Sequence, residues 1–121
     1  MPLVQLDLNE SFKDRQAEIS ASVMNAMVDG FGAPETDLFQ VFRYHPADQI
    51  VFSPTHGGVN RTELLWVQVL APPKFDVVTK SKFFRAMAER FGAIGIPSEN
   101  LLISLLEFGY EDVFAGKVRG N

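Results

Sequence analysis

Residues 31–44 (FGAPETDLFQVFRY) and residues 91–106 (FGAIGIPSENLLISLL) each begin with Phe-Gly-Ala and pass through a turn into an apolar segment. In the first copy, Gly32 and Pro34 end a helical pattern, and Leu38 to Tyr44 then follows as a strand. The same helix-to-strand passage occurs again 60 residues later. This recurrence indicates an internal repeat.

The starts of the two repeats also match. PLVQLDL (2–8) and LLWVQVL (64–70) are strand-like segments that share the dipeptide Val-Gln. The repeats therefore span residues 2–44 and 64–107, within a single domain that covers residues 1–121.

Each repeat contains a helical segment between its two strands. Apolar side chains recur at helical spacing in residues 11–31, with Ser11 as the predicted N-terminal cap, and again in residues 76–91. A crossover of this length joins parallel strands. The sequence predicts an α/β (α+β) fold, in which duplicated β-α-β units form a four-stranded mixed sheet with two helices on one face.

The second face of this sheet needs a cover. LLWVQVL and LLISLL (101–106) are apolar at nearly every position, which is typical of strands buried on both faces. A second copy of the chain is the expected cover. The alternative is the loop of residues 45–63, which is long for a compact domain and is predicted to contain a short strand at Ile50–Ser53.

Composition excludes several classes of function. The 121 residues include no cysteine, so thiolate nucleophiles, cysteine zinc sites and iron–sulfur clusters are excluded. The net charge of −4 argues against general nucleic-acid binding. The chain start lacks the features of a secretory signal, and no apolar run approaches a membrane span. We expect a cytoplasmic protein that binds neither nucleic acid nor membrane.

Pro2 is the residue with the clearest chemical potential. It follows the initiator methionine, which is normally removed before a residue this small, and it directly precedes a strand. Removal leaves a secondary amine, and an ordinary α-amino group titrates near pH 7.7–8.0. Apolar burial lowers such a pKa and nearby carboxylates raise it, so the amine can serve as base or acid near neutrality. The alternative is an incidental proline at the edge of a strand.

MPLVQLDL (1–8), FGAPETDLFQVF (31–42) and LLISLLEFGYEDVFAG (101–116) resemble the tautomerase superfamily over essentially the whole chain. The segment PETDLFQ and the ending E-D-x-x-x-G are most similar to its malonate semialdehyde decarboxylase-like branch. The resemblance implies a tautomerase/MIF-like homotrimer with the amino-terminal proline as catalytic group. It implies that Pro2 is catalytic and that Asp37, in PETDLFQ, is the acidic residue near it. A turn aspartate that bonds local backbone amides is the alternative for Asp37.

The chain departs from that branch in its substrate-binding residues. The branch carries two arginines flanking a proline that hold a substrate carboxylate, whereas this chain has Pro72, Pro73 and Lys74. Lys74 is therefore the expected carboxylate-binding residue, as a point charge in place of a planar clamp. Where the branch often reads D-W-x-F-G, this chain has Phe114 between the two aromatic positions. Arg43, within the second strand, is the other candidate for substrate binding.

Further polar residues give weaker signals. Arg61 follows a Gly-Gly pair, but no phosphate-binding lysine follows it. His45, Asp48 and His56 have no recognised metal-ligand spacing, so we expect neither a metal ion nor a cofactor.

These residues predict a tautomerase-like enzyme in which neutral Pro2 is the general base for keto–enol tautomerisation of a small 2-oxo or unsaturated carboxylic acid. The first alternative has protonated Pro2 as the general acid in decarboxylation or hydration of such an acid. The second is a trimeric binding protein without catalysis. A fold-level alternative is a ferredoxin-like dimer in which Pro2 is incidental.

Overall fold

The computed structural model describes residues 2–117, and its architecture is the predicted one. Four strands and two helices alternate as two β-α-β units. In chain order they are β1 (Leu3–Asn9), α1 (Gln16–Phe31), β2 (Gln40–His45), β3 (Leu65–Ala71), α2 (Val77–Ala93) and β4 (Leu101–Glu107).

The sheet has the order β2-β1-β3-β4. Within each unit the two strands are parallel, and the units meet through an antiparallel pairing of β1 with β3. In that pairing Leu3 lies opposite Leu70 and Asp7 lies opposite Trp66. The sheet is therefore mixed, as predicted, and the starts of β1 and β3 lie at opposite ends of it.

The hydrophobic core lies between the two helices and one face of the sheet. Alternate side chains of the two central strands point into it, which is the period of a strand with one face buried. The largest side chains fully buried in this layer are Leu6, Leu8, Ile19, Met27, Leu65, Phe83, Met87 and Phe91.

The two helices approach each other closely at Gly30. A Cβ atom on this residue would lie 2.5 Å from the Cα of Phe83, so no larger side chain fits without displacement of α2. Next to this contact the ring of Phe31 stacks on Phe83 at 4.3 Å and on Phe75 at 4.2 Å, measured between centroids. The aromatic stack links both helices to the turn after β3.

The first helical segment begins differently from the prediction. Residues Glu10–Arg15 form a 3-10 helix, and regular α-helix starts only at Gln16. The cap is Asn9, whose side-chain oxygen accepts a hydrogen bond from the backbone N–H of Ser11 at 2.9 Å. Asn9 is the last residue of β1, so the chain turns into the helix directly from the strand.

The predicted strand at Ile50–Ser53 is wrong. A short 3-10 helix (Ala47–Gln49) precedes this segment, which joins no sheet. The side chain of Arg61 donates to the carbonyl oxygens of Ser53 at 2.8 Å and Glu99 at 2.9 Å. In a sheet, the Ser53 carbonyl would accept a hydrogen bond from the backbone of a neighbouring strand. Here it accepts one from the guanidinium of Arg61 instead, and this contact helps to hold the loop.

The sheet face remote from the helices, here called the open face, mixes apolar and polar side chains. Trp66, Leu102 and Leu106 remain 41–49% exposed on it in the single chain. The hydroxyl oxygen of Ser104 is buried and has no hydrogen-bond partner within residues 2–117. The open face consists of Leu3, Gln5, Asp7, Val41, Arg43, Trp66, Gln68, Leu70, Leu102, Ser104 and Leu106.

The long loop covers only part of the open face. Ile50 and Val51 line a cavity together with Trp66, so the loop lies over the end of the face where β3 begins. Elsewhere on the face, Val41, Leu102 and Leu106 stay 46–49% exposed. None of the helices within residues 2–117 is long and apolar enough to cross a membrane.

Candidate active site

One end of the sheet collects most of the predicted site residues, and we call it the proline end. β1 and β2 begin there, and β3 and β4 end there, because the two units are antiparallel to each other. Pro2 directly precedes β1, Asp37 precedes β2, and Lys74 follows β3. The segment that carries Phe114 follows β4. Three separate parts of the sequence thus lie at one end of the sheet through topology alone, namely those of Pro2, Asp37 and Lys74.

Pro2 is buried at this end. Extension of the β1–β3 register by one residue places it opposite Ala71, the last residue of β3. The next residues of the chain are fixed, since the N–H of Val4 donates to the carbonyl of Phe39 at 2.9 Å. Pro2 therefore directly precedes a strand whose first residues are bonded to the segment before β2.

Asp37 lies in the turn that leads into β2. Its backbone N–H donates to the carbonyl of Pro34 at 2.9 Å, and its side chain is half-buried. Since β1 and β2 are parallel and adjacent, this turn and Pro2 lie at neighbouring strand starts. The geometry is compatible with both predicted interpretations of Asp37.

Lys74 is exposed but has a defined support. Its ammonium lies 5.3 Å from the ring centroid of Phe75, in a cation–π contact. Phe75 in turn stacks on Phe31, so the support belongs to the aromatic stack described above. The backbone N–H of Lys74 also closes a turn onto the carbonyl of Pro72. A cation with this support is suited to hold a carboxylate.

Sequence reasoning missed three charged residues at the proline end. Lys80 of α2 forms an ion pair with Glu107, the last residue of β4. Asp76 caps α2 by accepting a hydrogen bond from the N–H of Thr79 at 2.8 Å, and this bond lowers the pKa of the Asp76 carboxyl. The cap could have been predicted from the sequence, because an aspartate directly before a helical pattern is a typical N-terminal cap. The Lys80–Glu107 pair could not, because 27 residues separate its members.

The structure does not bring Arg43 to Pro2 within one chain. Arg43 lies opposite Asp7 in the β1–β2 ladder, five residues along the strand from Pro2. At about 3.3 Å per residue this separation is roughly 16 Å. Phe114, the other predicted binding residue, is 71% exposed and follows a short 3-10 helix (Tyr110–Asp112).

The remaining candidates lie at the opposite end of the sheet, which we call the loop end. The Nε2 atom of His45 lies 2.7 Å from the Oδ1 atom of Asp7. Within residues 2–117, no group of three His, Asp or Glu side chains is arranged to hold a metal ion. Arg61 is engaged by the loop carbonyls, as described above.

Comparisons with known proteins identify the family and the fold of the chain. Residues 37–113 match the family model described as tautomerase enzyme. The chain is 32% identical over 109 residues to a probable tautomerase, YrdN of Bacillus subtilis (strain 168), across 88% of this chain and 84% of that protein.

Two solved structures show the same fold. One is FG41 malonate semialdehyde decarboxylase inhibited by 3-bromopropiolate, with a TM-score of 0.88 and 23% identity over 95% of this chain and 89% of that one. The other is an asymmetric trimer of wild-type fused 4-OT, with a TM-score of 0.78 and 16% identity over 94% and 92% of the two chains.

Proposed function

The chain belongs to the tautomerase family, and from this premise we propose that Pro2 is the general base in keto–enol tautomerisation of a small 2-oxo or unsaturated carboxylic acid. The observation that carries the proposal is the convergence at the proline end. A buried proline at the start of β1 lies at the same sheet end as a carboxylate before β2 and a supported cation after β3.

The proton transfer requires that Met1 has been removed, since an amide nitrogen is not a base. Burial favours the uncharged form of an amine, which is the form that accepts a proton. Neutral Pro2 takes the proton from the enol hydroxyl, and the O–H electrons form the carbonyl as the double bond shifts. Protonated Pro2 then gives the proton to the other carbon of the former double bond, which lies next to the new carbonyl. No atom is gained or lost, so the reaction needs no co-reactant.

Other residues of the proline end bind the substrate and orient the amine. Lys74 binds the substrate carboxylate and stabilises the negative charge that develops on the enolate. Asp37 orients the amine or a water molecule beside it. Phe114, on the segment after β4, contributes to the apolar wall of the pocket. The first turn of α2, which carries the positive end of the helix dipole, adds to the preference of this end for an anion.

We further propose that the protein is a homotrimer. Fused 4-OT, which shares the fold, forms a trimer. The exposed apolar side chains of the open face support self-association, because their cover is missing in the single chain. Arg43, which lies on this face, can then approach the proline end of another copy.

The second candidate reaction is decarboxylation or hydration with protonated Pro2 as the general acid. Its support is the similarity in fold to malonate semialdehyde decarboxylase. In this reaction the protonated amine polarises the aldehyde oxygen, and the electrons of the breaking carbon–carboxylate bond form an enol as carbon dioxide leaves. Transfer of a proton from the enol oxygen to the carbon that lost the carboxylate, by way of the amine, then gives acetaldehyde. A lysine at position 74 binds a carboxylate with less directional control than arginines do, and this favours the tautomerase reaction.

The test compares protein shown by intact mass to begin at Pro2 with the Pro2→Ala variant. With phenylenolpyruvate as substrate, we expect the loss of enol absorbance to slow by about 100-fold or more in the variant, the usual contribution of a general base. Equal rates for the two proteins would overturn the proline mechanism. Acetaldehyde release from malonate semialdehyde without enol turnover would favour the second candidate. Absence of both activities would favour the binding protein.

A further inference from the structure

We propose that the ion pair of Lys80 with Glu107 sets how readily the Pro2 amine is protonated. Glu107 favours the protonated amine, which is the acid form, and Lys80 favours the neutral amine, which is the base form. Both are positioning residues, because they act through Pro2. The inference rests on the proposed function in that it takes Pro2 as the reacting amine, but the protonation of Pro2 can be measured without turnover.

Pro2, Ala71 and Glu107 lie side by side in one row across the sheet. Ala71 is paired with Glu107 in the β3–β4 ladder, and the extended β1–β3 register places Pro2 on its other side. The N–H of Phe108 donates to the Ala71 carbonyl at 3.0 Å, so the pairing continues to the end of β4. Neighbouring strands are about 4.8 Å apart, so roughly 10 Å separates the Cα atoms of Pro2 and Glu107.

The side chains of this row lie on the helix side of the sheet. Pro2 is buried and comes two residues before Val4, which points into the core, and Ala71 belongs to the core as well. Glu107 contacts Lys80 of α2 from the same side. In the row, therefore, one buried methyl group stands between Pro2 and Glu107. Charges interact more strongly across buried residues than across water.

The helix that carries Lys80 does not by itself favour a lysine there. Lys80 is the fourth residue of α2, close to the positive end of the helix dipole, where a cation is unfavourable. Lys80 therefore depends on Glu107 for its counter-charge. The two side chains are 31% and 41% exposed, so salt screens the pair only in part. Loss of either member leaves one uncompensated charge beside the row that contains Pro2.

Other charged side chains belong to the same end of the sheet and its connecting segments, and they act on the amine too. Within residues 2–117 they are Asp29 on α1, Glu35 and Asp37 before β2, Lys74 and Asp76 after β3, and Glu111, Asp112 and Lys117 after β4. The variants below alter none of them. Their effect on Pro2 therefore cancels when the pKa of a variant is compared with that of wild type.

The test is the pKa of Pro2 in protein shown by intact mass to begin at this residue. It is read from the ¹⁵N resonance of the amine during a pH titration at low ionic strength. One unit charge at 10 Å shifts a pKa by about 0.3 in water and by about 1 at the effective dielectric constant of a protein. We expect Glu107→Gln to lower the pKa of Pro2 by about 0.3 to 1 and Lys80→Met to raise it by a similar amount. The double variant should lie between the two single variants, close to wild type.

Glu99→Gln is the matched control, because it makes the same change before the start of β4, roughly 20 Å or more from Glu107. It should leave the pKa of Pro2 unchanged. A pair that only fastens α2 to β4 would affect stability without moving this pKa in opposite directions. No shift, or shifts of the same sign, would overturn the proposal. Should Lys80→Met fail to fold, Glu107→Gln alone decides the matter, since only a lowered pKa supports the proposal.

Catalysis gives a second readout. With phenylenolpyruvate, the acid limb of kcat/KM against pH should move with the pKa of Pro2 in each variant. Opposite shifts of the pKa in a protein without enol turnover would support this proposal and reject the tautomerase reaction. Enol turnover with an unchanged pKa in both variants would reject this proposal and leave the tautomerase reaction standing.

Discussion

The contact between Lys74 and Phe75 decides how firmly the proposed site holds its cation. The ammonium lies over the ring, and the ring is stacked on Phe31. Lysine has a flexible stem, so without this support the charge would sample many positions. Cation–π contacts at exposed sites are worth about 0.5–1 kcal/mol, or roughly a two-fold to five-fold change in binding.

Phe75→Leu keeps an apolar side chain and removes the ring. We expect kcat/KM for the enol acid to fall by about two-fold to five-fold. In a Lys74→Met background, the same replacement should leave kcat/KM unchanged, because the cation it supports is gone. Steady-state kinetics on the four proteins provides the measurement. An equal fall in both backgrounds would show that Phe75 acts on the substrate independently of Lys74.

Glu63 lies just before β3, and its burial raises the pKa of its carboxyl group. A carboxyl with a raised pKa in the folded state favours folding below its ordinary pKa of about 4.3, and this contribution is lost as the pH rises through the folded value. At pH 7 the charged side chain therefore opposes folding.

Glu63→Gln removes this charge. We expect its free energy of unfolding to exceed that of wild type at pH 7, with the difference shrinking as the pH falls to 4. Urea denaturation at the two pH values measures it. The control is Glu99→Gln, an exposed glutamate, for which we expect no comparable change with pH. A difference for Glu63→Gln that grows on acidification would contradict the assignment.

At the scale of elements, the closest contact between the helices is the approach of Gly30 to Phe83. A methyl group at position 30 would overlap the backbone of α2, which is itself anchored in the core through Phe83. Overpacking of this kind costs about 1–3 kcal/mol. Gly92, near the end of α2, serves as the counterpart, because a methyl group there would meet no atom within 4 Å.

We expect Gly30→Ala to lower the free energy of unfolding by about 1–3 kcal/mol. Gly92→Ala should raise it by up to about 1 kcal/mol, since alanine is the better helix former. Denaturant titration of both variants measures the two effects. Destabilisation of equal size in both would mean that the close approach of Gly30 to Phe83 does not decide the result.

The strands and helices could be predicted from the sequence, whereas several contacts between them could not. Periodicity predicted the strands and helices, because these depend on neighbours within a few residues. The β-α-β crossover in each repeat predicted the parallel pairing within each unit. The position of Pro2 directly before the first strand predicted a functional site at that end of the sheet. The cation–π support of Lys74 depends on rings from two elements, and the 2.7 Å contact of Asp7 with His45 depends on sheet register. Local patterns do not contain that information.

The predicted strand at Ile50–Ser53 failed for a related reason. Its residues have the β-branched and aromatic character of a strand, but a strand also needs a neighbour to bond. The guanidinium of Arg61 instead bonds the Ser53 carbonyl, and the same side chain reaches the carbonyl of Glu99. A side chain 38 residues from that carbonyl in sequence therefore decides the conformation of the loop.

At the scale of the whole molecule, the open face is expected to control assembly. Val41 is 46% exposed there, and Val78 is 73% exposed on α2. A charge at position 41 would be removed from water in a trimer interface, whereas a charge at position 78 would remain in water.

We expect Val41→Glu to reduce the mass measured by light scattering from that of three chains toward that of one, and Val78→Glu to leave it unchanged. Circular dichroism of both variants checks that each chain stays folded. A trimer that survives Val41→Glu would show that the open face is not the interface. Dissociation by Val78→Glu would place the interface on the helical side.

The antiparallel meeting of the two repeats makes the ends of the sheet chemically unequal. Each repeat opens with a strand, but only β1 is preceded by the proline proposed as the catalytic amine. β3 starts at the loop end, where Leu64 precedes it through an ordinary peptide bond. An amide nitrogen carries no basic lone pair, so the second repeat has no amine that could act as general base. A covalent reagent directed at the Pro2 amine should consequently label one site per chain.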